Sequence, residues 1–289
     1  MTKVKSVASI LTPNRIPIVW TIGHSDSGGG TGIQADIHTF HDFNVYGCTV
    51  ITAITAQNSF ARGYNTAAER KVVVAQINAL DSDLPASVIK LGMVPNLEVL
   101  ESVTRYLTDF DGTVVYDLEL DNSGEWLLDH MQWMKEQLFP SVNVLVVNVE
   151  EAGSLWGKTL ASLEDMASAA AALRKAGPQS VLITGGKFGS GGGKRYDYWS
   201  DGDEHRWVTT TVVDSIHNRG GGSTLSAALS AALALGLPMD EALRLGKAYV
   251  TRGIRDANCV GSGPGSVAHH GLPQDSDDWP EISRQMPSA

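Results

Sequence analysis

The chain has 289 residues, of which 43% are hydrophobic and 19% charged, which suits one large globular α/β domain. With a net charge of −10, no basic face is expected, so nucleic acids and anionic membranes are poor partners. Two cysteines, Cys48 and Cys259, make neither a disulfide framework nor a zinc site. No apolar run approaches the ~20 residues of a membrane span. We therefore expect a cytoplasmic protein with no membrane segment.

The chain begins its regular pattern with a strand, a glycine-rich turn and a helix. Ile18–Ile22 is a short apolar run that predicts a buried strand, and Gly23–Gly32 holds five glycines. Apolar residues then recur at helical spacing over 33–43. The turn superficially matches the dinucleotide-binding fingerprint. We reject that interpretation because the acidic residue expected ~20 residues later is absent.

The middle of the chain alternates between strand and helix patterns. Predicted strands lie at 50–58, 87–91, 113–116, 144–147 and 180–183, and predicted helices at 67–80, 97–107, 125–138 and 162–176. Such alternation predicts a mostly parallel sheet with helices on both faces. Ligands of these sheets bind beyond the carboxyl ends of the strands. Polar residues cluster there in the sequence: Ser25, Asp26, Gln57, Asp117, Asn148, Glu151 and Gly185.

A second glycine turn, Gly220–Gly222, directly precedes an Ala- and Leu-rich stretch at 224–235 that predicts a buried helix. Backbone N–H groups left unpaired at such a helix start, together with the helix dipole, bind anions such as phosphate. The alternative is a flexible loop followed by an ordinary core helix. The phosphate-loop pattern of P-loop nucleotidases is absent from the chain.

We expect a single domain over 1–289, since no linker or internal repeat divides it. Residues 1–15 are expected to form a loosely held leader, and the polar chain from 273 to 289 a loosely held tail. A Gly-, Lys- and Asp-rich segment at 189–206 predicts a solvated hairpin or flap, with a strand at 196–199.

The first glycine turn and the strand after it resemble one enzyme family. The segments Gly23–Asp36 and Tyr46–Asn58 are similar to the hydroxymethylpyrimidine/phosphomethylpyrimidine kinases of thiamine biosynthesis. Lys90–Met93, Gly263-Pro264 and His269-His270 are similar to further motifs of that family. The resemblance covers roughly residues 18 to 270. It implies the ribokinase-like α/β fold, which this family shares with bacterial pyridoxal kinases.

The resemblance also implies an activity: phosphoryl transfer from ATP to the hydroxymethyl group of a pyrimidine, assisted by Mg²⁺, in a homodimer. Carried over by position, the substrate residues are Gly23, Asp36 and Gln57, with His24 added because it replaces a small residue of the family. The ATP-binding positions are Asn148, Thr184, Gly186 and Lys187, and the metal positions are Asp117 and Glu151. Gly220, Gly221 and Gly222 match the anion hole, flanked by Arg219 and Ser223.

Several positions depart from the family pattern. Ser223 stands where the family has a Cys or Asp that is the candidate base, and an unassisted serine hydroxyl is a very weak base. Thr184 replaces a lysine near the ATP phosphates, and Arg219 replaces a histidine. Two interpretations follow. The first is a slow or divergent kinase in which Arg219 or Lys187 supplies the missing charge. The second is a pyrimidine- or pyridoxine-binding protein that has lost catalysis. The acceptor, whether the free alcohol, its monophosphate or pyridoxal, stays open.

Overall fold

A ten-stranded sheet organises the fold. The computed structural model describes residues 16–120, 129–186, 188, 192–257, 259–273 and 278–287. The strands are β1 (Ile18–Asp26), β2 (Tyr46–Gln57), β3 (Arg62–Ala67), β4 (Val88–Leu91), β5 (Thr113–Asp117), β6 (Val144–Asn148), β7 (Ser180–Thr184), β8 (Lys194–Ser200), β9 (His205–Thr211) and β10 (Glu281–Ser283). The helices are α1 (Gly32–Asp42), α2 (Arg70–Asp81), α3 (Leu97–Thr108), α4 (Met131–Gln137), α5 (Val149–Trp156), α6 (Leu163–Arg174), α7 (Gly221–Ala234) and α8 (Met239–Arg255), with a 3-10 turn at Phe139–Ser141.

The sheet has the order β10-β9-β8-β7-β6-β5-β4-β1-β2-β3. The six strands from β7 to β2 in this order pair in parallel, while β3 at one edge and β8, β9 and β10 at the other are antiparallel. Because the parallel strands all run in one direction, their carboxyl ends meet at one edge of the sheet. The predicted polar cluster therefore lies along that edge.

Apolar side chains cover both faces of the sheet. Trp20 and Ile22 of β1 pack in one layer with α2, α3, α5 and α6. Val19 points the other way and packs with α1, α7 and α8. This alternation follows from the period of two along a strand, and it explains why the parallel strands read as continuous apolar runs.

The sequence-predicted strands and helices of the alternating region are confirmed, with ends shifted by a few residues. Strands β3 and β9 and helices α5 and α8 were not predicted. The prediction of a loose tail is wrong for 278–287, because Glu281–Ser283 pairs with β9 and buried Asp278 forms an ion pair with Arg255. The leader at 1–15 and the first part of the predicted 125–138 helix lie outside the described residues. Within the described chain, every helix is too short or too polar to span a bilayer.

A buried ion pair ties α1 to the centre of the sheet. Lys90, at the end of β4, is 1% exposed, and its Nζ donates to Asp36 Oδ1 (2.8 Å) and Oδ2 (3.0 Å). Asp117 Oδ2 lies 3.6 Å from the same Nζ. Burial alone would lower the pKa of Lys90, but the nearby carboxylates, led by Asp36, raise it, so the ammonium stays charged.

We predict that Lys90→Met lowers the free energy of unfolding by about 3–5 kcal/mol, because it leaves the Asp36 carboxylate buried without its counter-charge. The double variant Lys90→Met/Asp36→Leu should recover much of this loss, since apolar replacement of both partners is often neutral. Urea unfolding measures both. A loss below about 1 kcal/mol in the single variant would contradict a structural role for this pair.

Candidate active site

The carboxylate of Asp26 organises the first glycine turn. Asp26 ends β1 and is 1% exposed. Its Oδ1 accepts the N–H of Gly28 (2.7 Å), and its Oδ2 accepts the N–H groups of Gly30 (3.1 Å) and Thr31 (3.0 Å) and the Thr31 hydroxyl (3.0 Å). A carboxylate that accepts several backbone donors fixes their positions strongly. The turn from 27 to 31 is therefore an ordered structure rather than a flexible loop.

Gln57 joins this turn from β2. The Ser27 hydroxyl donates to the Gln57 carbonyl (2.8 Å), and the Gln57 N–H donates back to Ser27 Oγ (2.9 Å). The Gln57 side chain donates from Nε2 to Thr31 Oγ1 (3.2 Å). These hydrogen bonds connect the turn that follows β1 to the end of β2. Gln57 also lines the cleft described below.

The second glycine turn presents unpaired donors at the start of α7. Gly220 has φ +83°, a left-handed conformation that glycine adopts without strain. The N–H of Gly221 donates to Asn218 and that of Thr224 to Gly220. Within the described part of the chain, the N–H groups of Gly222 and Ser223 between them have no acceptor. Two free donors beside the positive end of a 14-residue helix are an arrangement that favours a bound anion, and the anion hole stays a prediction.

The two glycine turns contact each other, although they lie almost two hundred residues apart. Arg219 Nη2 donates to Asp26 Oδ2 (2.8 Å) across 193 positions of sequence. The carbonyl of Gly30 approaches Gly220 so closely that a Cβ at Gly220 would clash with it. The backbone of Arg219 also pairs with Gly265 and Val267. The Arg219 charge is therefore matched by Asp26 and serves to join the turns.

A cleft of about 270 Å³ lies between the two turns, at the carboxyl edge of the sheet. Its lining includes these predicted site residues: His24, Gln57, Asp117, Asn148, Glu151, Thr184, Gly220, Gly222 and Ser223. It also includes Thr31, Arg62 and Glu119, which the sequence analysis did not select. Arg62 begins the unpredicted strand β3. Glu119 lies two residues after the end of β5. This position after a strand end is the sequence signal that could have identified Glu119 as a site residue.

The remaining predicted residues lie outside this lining. Asp36 is buried below the cleft, where Lys90 and the Thr21 hydroxyl (2.5 Å) bind its carboxylate. Gly23, Gly186, Gly221 and Arg219 are likewise absent from the residues that line the cleft. Lys187 lies outside the described residues. A direct substrate contact from Asp36 therefore stays a prediction, and the structure gives it a partner in the core.

Acidic side chains line a neighbouring part of the cleft wall. Asp117 accepts a hydrogen bond from Ser226 Oγ of α7 (2.7 Å). Asn148 and Glu151 form a capping box at the start of α5: Asn148 Oδ1 accepts the Glu151 N–H, and Glu151 Oε2 accepts the Asn148 N–H, both at 2.8 Å. Burial raises the pKa of Glu151 to about 8, helped by the negative charges of Asp117 and Glu119. This wall would gain from a bound cation.

We predict that Glu151 makes the protein less stable as pH rises. Its pKa is about 8 when folded and near 4.5 when unfolded, so between these values the folded state holds the extra proton. The free energy of unfolding should therefore fall from pH 5 to 8, by at most about 1.4 kcal/mol per unit from this group. Glu151→Gln should flatten the slope, whereas Glu150→Gln, at an exposed neighbour, should not. Equal slopes in all three proteins would contradict the assignment.

Comparison with solved structures places this arrangement in a class. The fold matches pyridoxal kinase from Staphylococcus aureus, solved in complex with AMP-PCP and pyridoxal, with a TM-score of 0.83 and 29% identity over 93% of this chain and 98% of that one. It also matches phosphomethylpyrimidine kinase from Clostridium difficile, with a TM-score of 0.70 and 30% identity over 83% and 100% of the two chains. The fold and the cleft define a ribokinase-like phosphotransferase.

Sequence comparison narrows the class to a family. The phosphomethylpyrimidine kinase family model matches residues 26–268. Hydroxymethylpyrimidine/phosphomethylpyrimidine kinases from Synechococcus elongatus and Rhizobium meliloti are 37% and 38% identical, covering 88% and 87% of this chain and 97% and 96% of theirs. The chain belongs to the phosphomethylpyrimidine kinase family, and the resemblance inferred from its glycine turns is confirmed.

Proposed function

We propose that the protein transfers a phosphoryl group from ATP to the hydroxymethyl group of hydroxymethylpyrimidine or its monophosphate, in thiamine biosynthesis. One observation carries the proposal: the unpaired N–H groups of Gly222 and Ser223 and the side chain of Gln57 line the same cleft. In this proposal the helix start holds the transferred phosphoryl group, and the first glycine turn holds the ring. The relatives that match along nearly their whole length carry this name.

Mg²⁺ fits the acidic wall of the cleft. Among the described residues, no group of three or more His, Cys, Asp or Glu side chains is arranged to hold a metal. Mg²⁺ ordinarily keeps several waters and binds through one or two carboxylates plus substrate phosphates, so a complete protein cage is not required. Asp117 and Glu151 are the carboxylates we assign to it. A bound Mg²⁺ would neutralise phosphate charge in the cleft.

The chemistry asks little of Ser223 as a base. Phosphoryl transfer passes through a loose transition state, in which positioning and charge neutralisation dominate. Among the described residues, the Ser223 hydroxyl has no hydrogen bond to a carboxylate or imidazole, and the nearby Ser226 hydroxyl donates to Asp117 instead (2.7 Å). We therefore assign Ser223 its backbone N–H as the working group. Because Thr184 replaces the lysine of the family pattern, the ATP side of the cleft has one positive charge fewer than that pattern provides.

The alternative, that catalysis has been lost, rests on the same two departures from the family pattern, Ser223 and Thr184.

Pyridoxal is a second candidate acceptor, since pyridoxal kinase from Staphylococcus aureus shares the fold. A homodimer and a cytoplasmic location remain part of the proposal, on the strength of the family resemblance. ADP release measured with hydroxymethylpyrimidine, its monophosphate and pyridoxal separates these possibilities. Binding without ADP release above background would remove the kinase proposal.

We predict that Gly222→Ala lowers kcat by about 10², a loss typical of disturbing one anion-binding donor. A Cβ at Gly222 meets no atom within 4 Å, so the variant should fold, but its methyl group would occupy open space at a residue that lines the cleft. Gly221→Ala is the matched control, since it lies in the same helix turn, outside the lining, with ordinary contacts. Thermal unfolding should show both variants as stable as the parent. Equal kcat in both would contradict the anion site.

We predict that Ser223→Ala keeps kcat within about twofold, because the hydroxyl is not the base. Ser223→Cys should likewise change kcat by less than about tenfold, because positioning and charge neutralisation dominate the transfer. Steady-state ADP release at saturating ATP measures both. A tenfold loss in Ser223→Ala would instead show that the hydroxyl takes part directly.

A further inference from the structure

His24 contributes an imidazole ring to the cleft near the end of β1. The residue is 2% exposed, yet it belongs to the cleft lining. Gly32 has φ +57°, and a Cβ there would come within 2.9 Å of His24 Nε2. The ring therefore lies directly against the first turn of α1, where a glycine leaves room for it. Its position is set by packing rather than by a mobile loop.

The hydrogen bonds around Thr31 fix which ring nitrogen carries the proton. The Thr31 hydroxyl donates its one hydrogen to Asp26 Oδ2 (3.0 Å), so it can only accept from His24 Nε2, which lies 3.4 Å away. We therefore assign the hydrogen to Nε2. Burial, with the positive charges of Arg62 and Lys90, lowers the pKa of His24 to about 4, so the ring is neutral near pH 7. Nδ1 is then a bare acceptor.

Nδ1 is buried and has no hydrogen-bond partner among the described residues. Glu119 Oε2 lies 3.9 Å from Nδ1 and is an acceptor, so it donates no hydrogen to this nitrogen. An unsatisfied buried acceptor typically costs about 1–3 kcal/mol. An unpaired acceptor matches a ligand group that offers a hydrogen, such as an aromatic amine. A ligand oxygen that only accepts would leave Nδ1 unsatisfied.

We propose that His24 Nδ1 accepts a hydrogen bond from the exocyclic amino group of an aminopyrimidine alcohol, and so determines which heteroaromatic alcohol the cleft selects. The pyrimidine unit of thiamine carries such an amino group on the ring carbon beside its hydroxymethyl carbon. Pyridoxal carries its aldehyde on the ring carbon beside the hydroxymethyl carbon, and an aldehyde oxygen only accepts hydrogen bonds, so it would find no donor at Nδ1. The inference rests on the proposed function and names the substrate group that His24 recognises.

Calorimetry without ATP tests the proposal with two ligands: the aminopyrimidine alcohol, and the same compound with hydrogen in place of the amino group. The parent protein should bind the amino compound about tenfold more tightly, the value of one hydrogen bond. In His24→Phe, which keeps an aromatic ring, this preference should vanish. His205→Phe on β9, outside the cleft lining, should keep it. A preference unchanged in His24→Phe would overturn the proposal.

Nitrogen-15 NMR of the parent protein provides a readout that needs no variant. The Nδ1 resonance of His24 should be that of an unprotonated ring nitrogen, and it should shift with the amino compound but not with the des-amino compound. A protonated Nδ1, or equal shifts with both ligands, would overturn the proposal. Absence of ADP release with the tenfold preference intact would contradict only the kinase function. ADP release with no preference would contradict only the role of His24.

Discussion

The ion pair between Asp26 and Arg219 is the contact on which the site depends. Asp26 is fully enclosed, and it accepts backbone donors from its own turn as well as the guanidinium from the turn before α7. Removing either partner would leave a buried charge unmatched, which is far more costly than losing a surface ion pair. The sheet brings the two turns to one edge, and this pair sets their spacing.

The cleft holds hydrogen-bond donors and acidic groups side by side. The start of α7 lines it together with Asp117, Glu119 and Glu151, and Asp117 accepts a hydrogen bond from Ser226 of the same helix. A triphosphate in this cleft would meet the repulsion of the carboxylates as well as the backbone donors unless a cation intervenes. The buried Lys90 supports Asp117 and Asp36 from below, so its charge stabilises the frame and is not presented to a ligand.

The sequence predicted most of the frame and the outline of the site, because both are local patterns. Alternating apolar strands and helices predict the sheet, and a glycine turn before a helix predicts unpaired N–H groups. Side-chain partners were not predictable, since they depend on distant contacts. Arg219 was expected to face phosphate, yet its partner Asp26 lies 193 positions away. Asp36 was expected beside the ring, yet Lys90 holds it in the core. The short strand β10 is polar and has no apolar pattern to reveal it.

A crystal structure with Mg²⁺, a non-hydrolysable ATP analogue and hydroxymethylpyrimidine tests most directly whether the two turns form one site. We expect a terminal phosphoryl oxygen within hydrogen-bond distance of the N–H groups of Gly222 and Ser223. We also expect the pyrimidine ring to lie against Gln57 in the same cleft. Phosphates bound away from the start of α7, or a ring and phosphates held in separate pockets, would contradict this account.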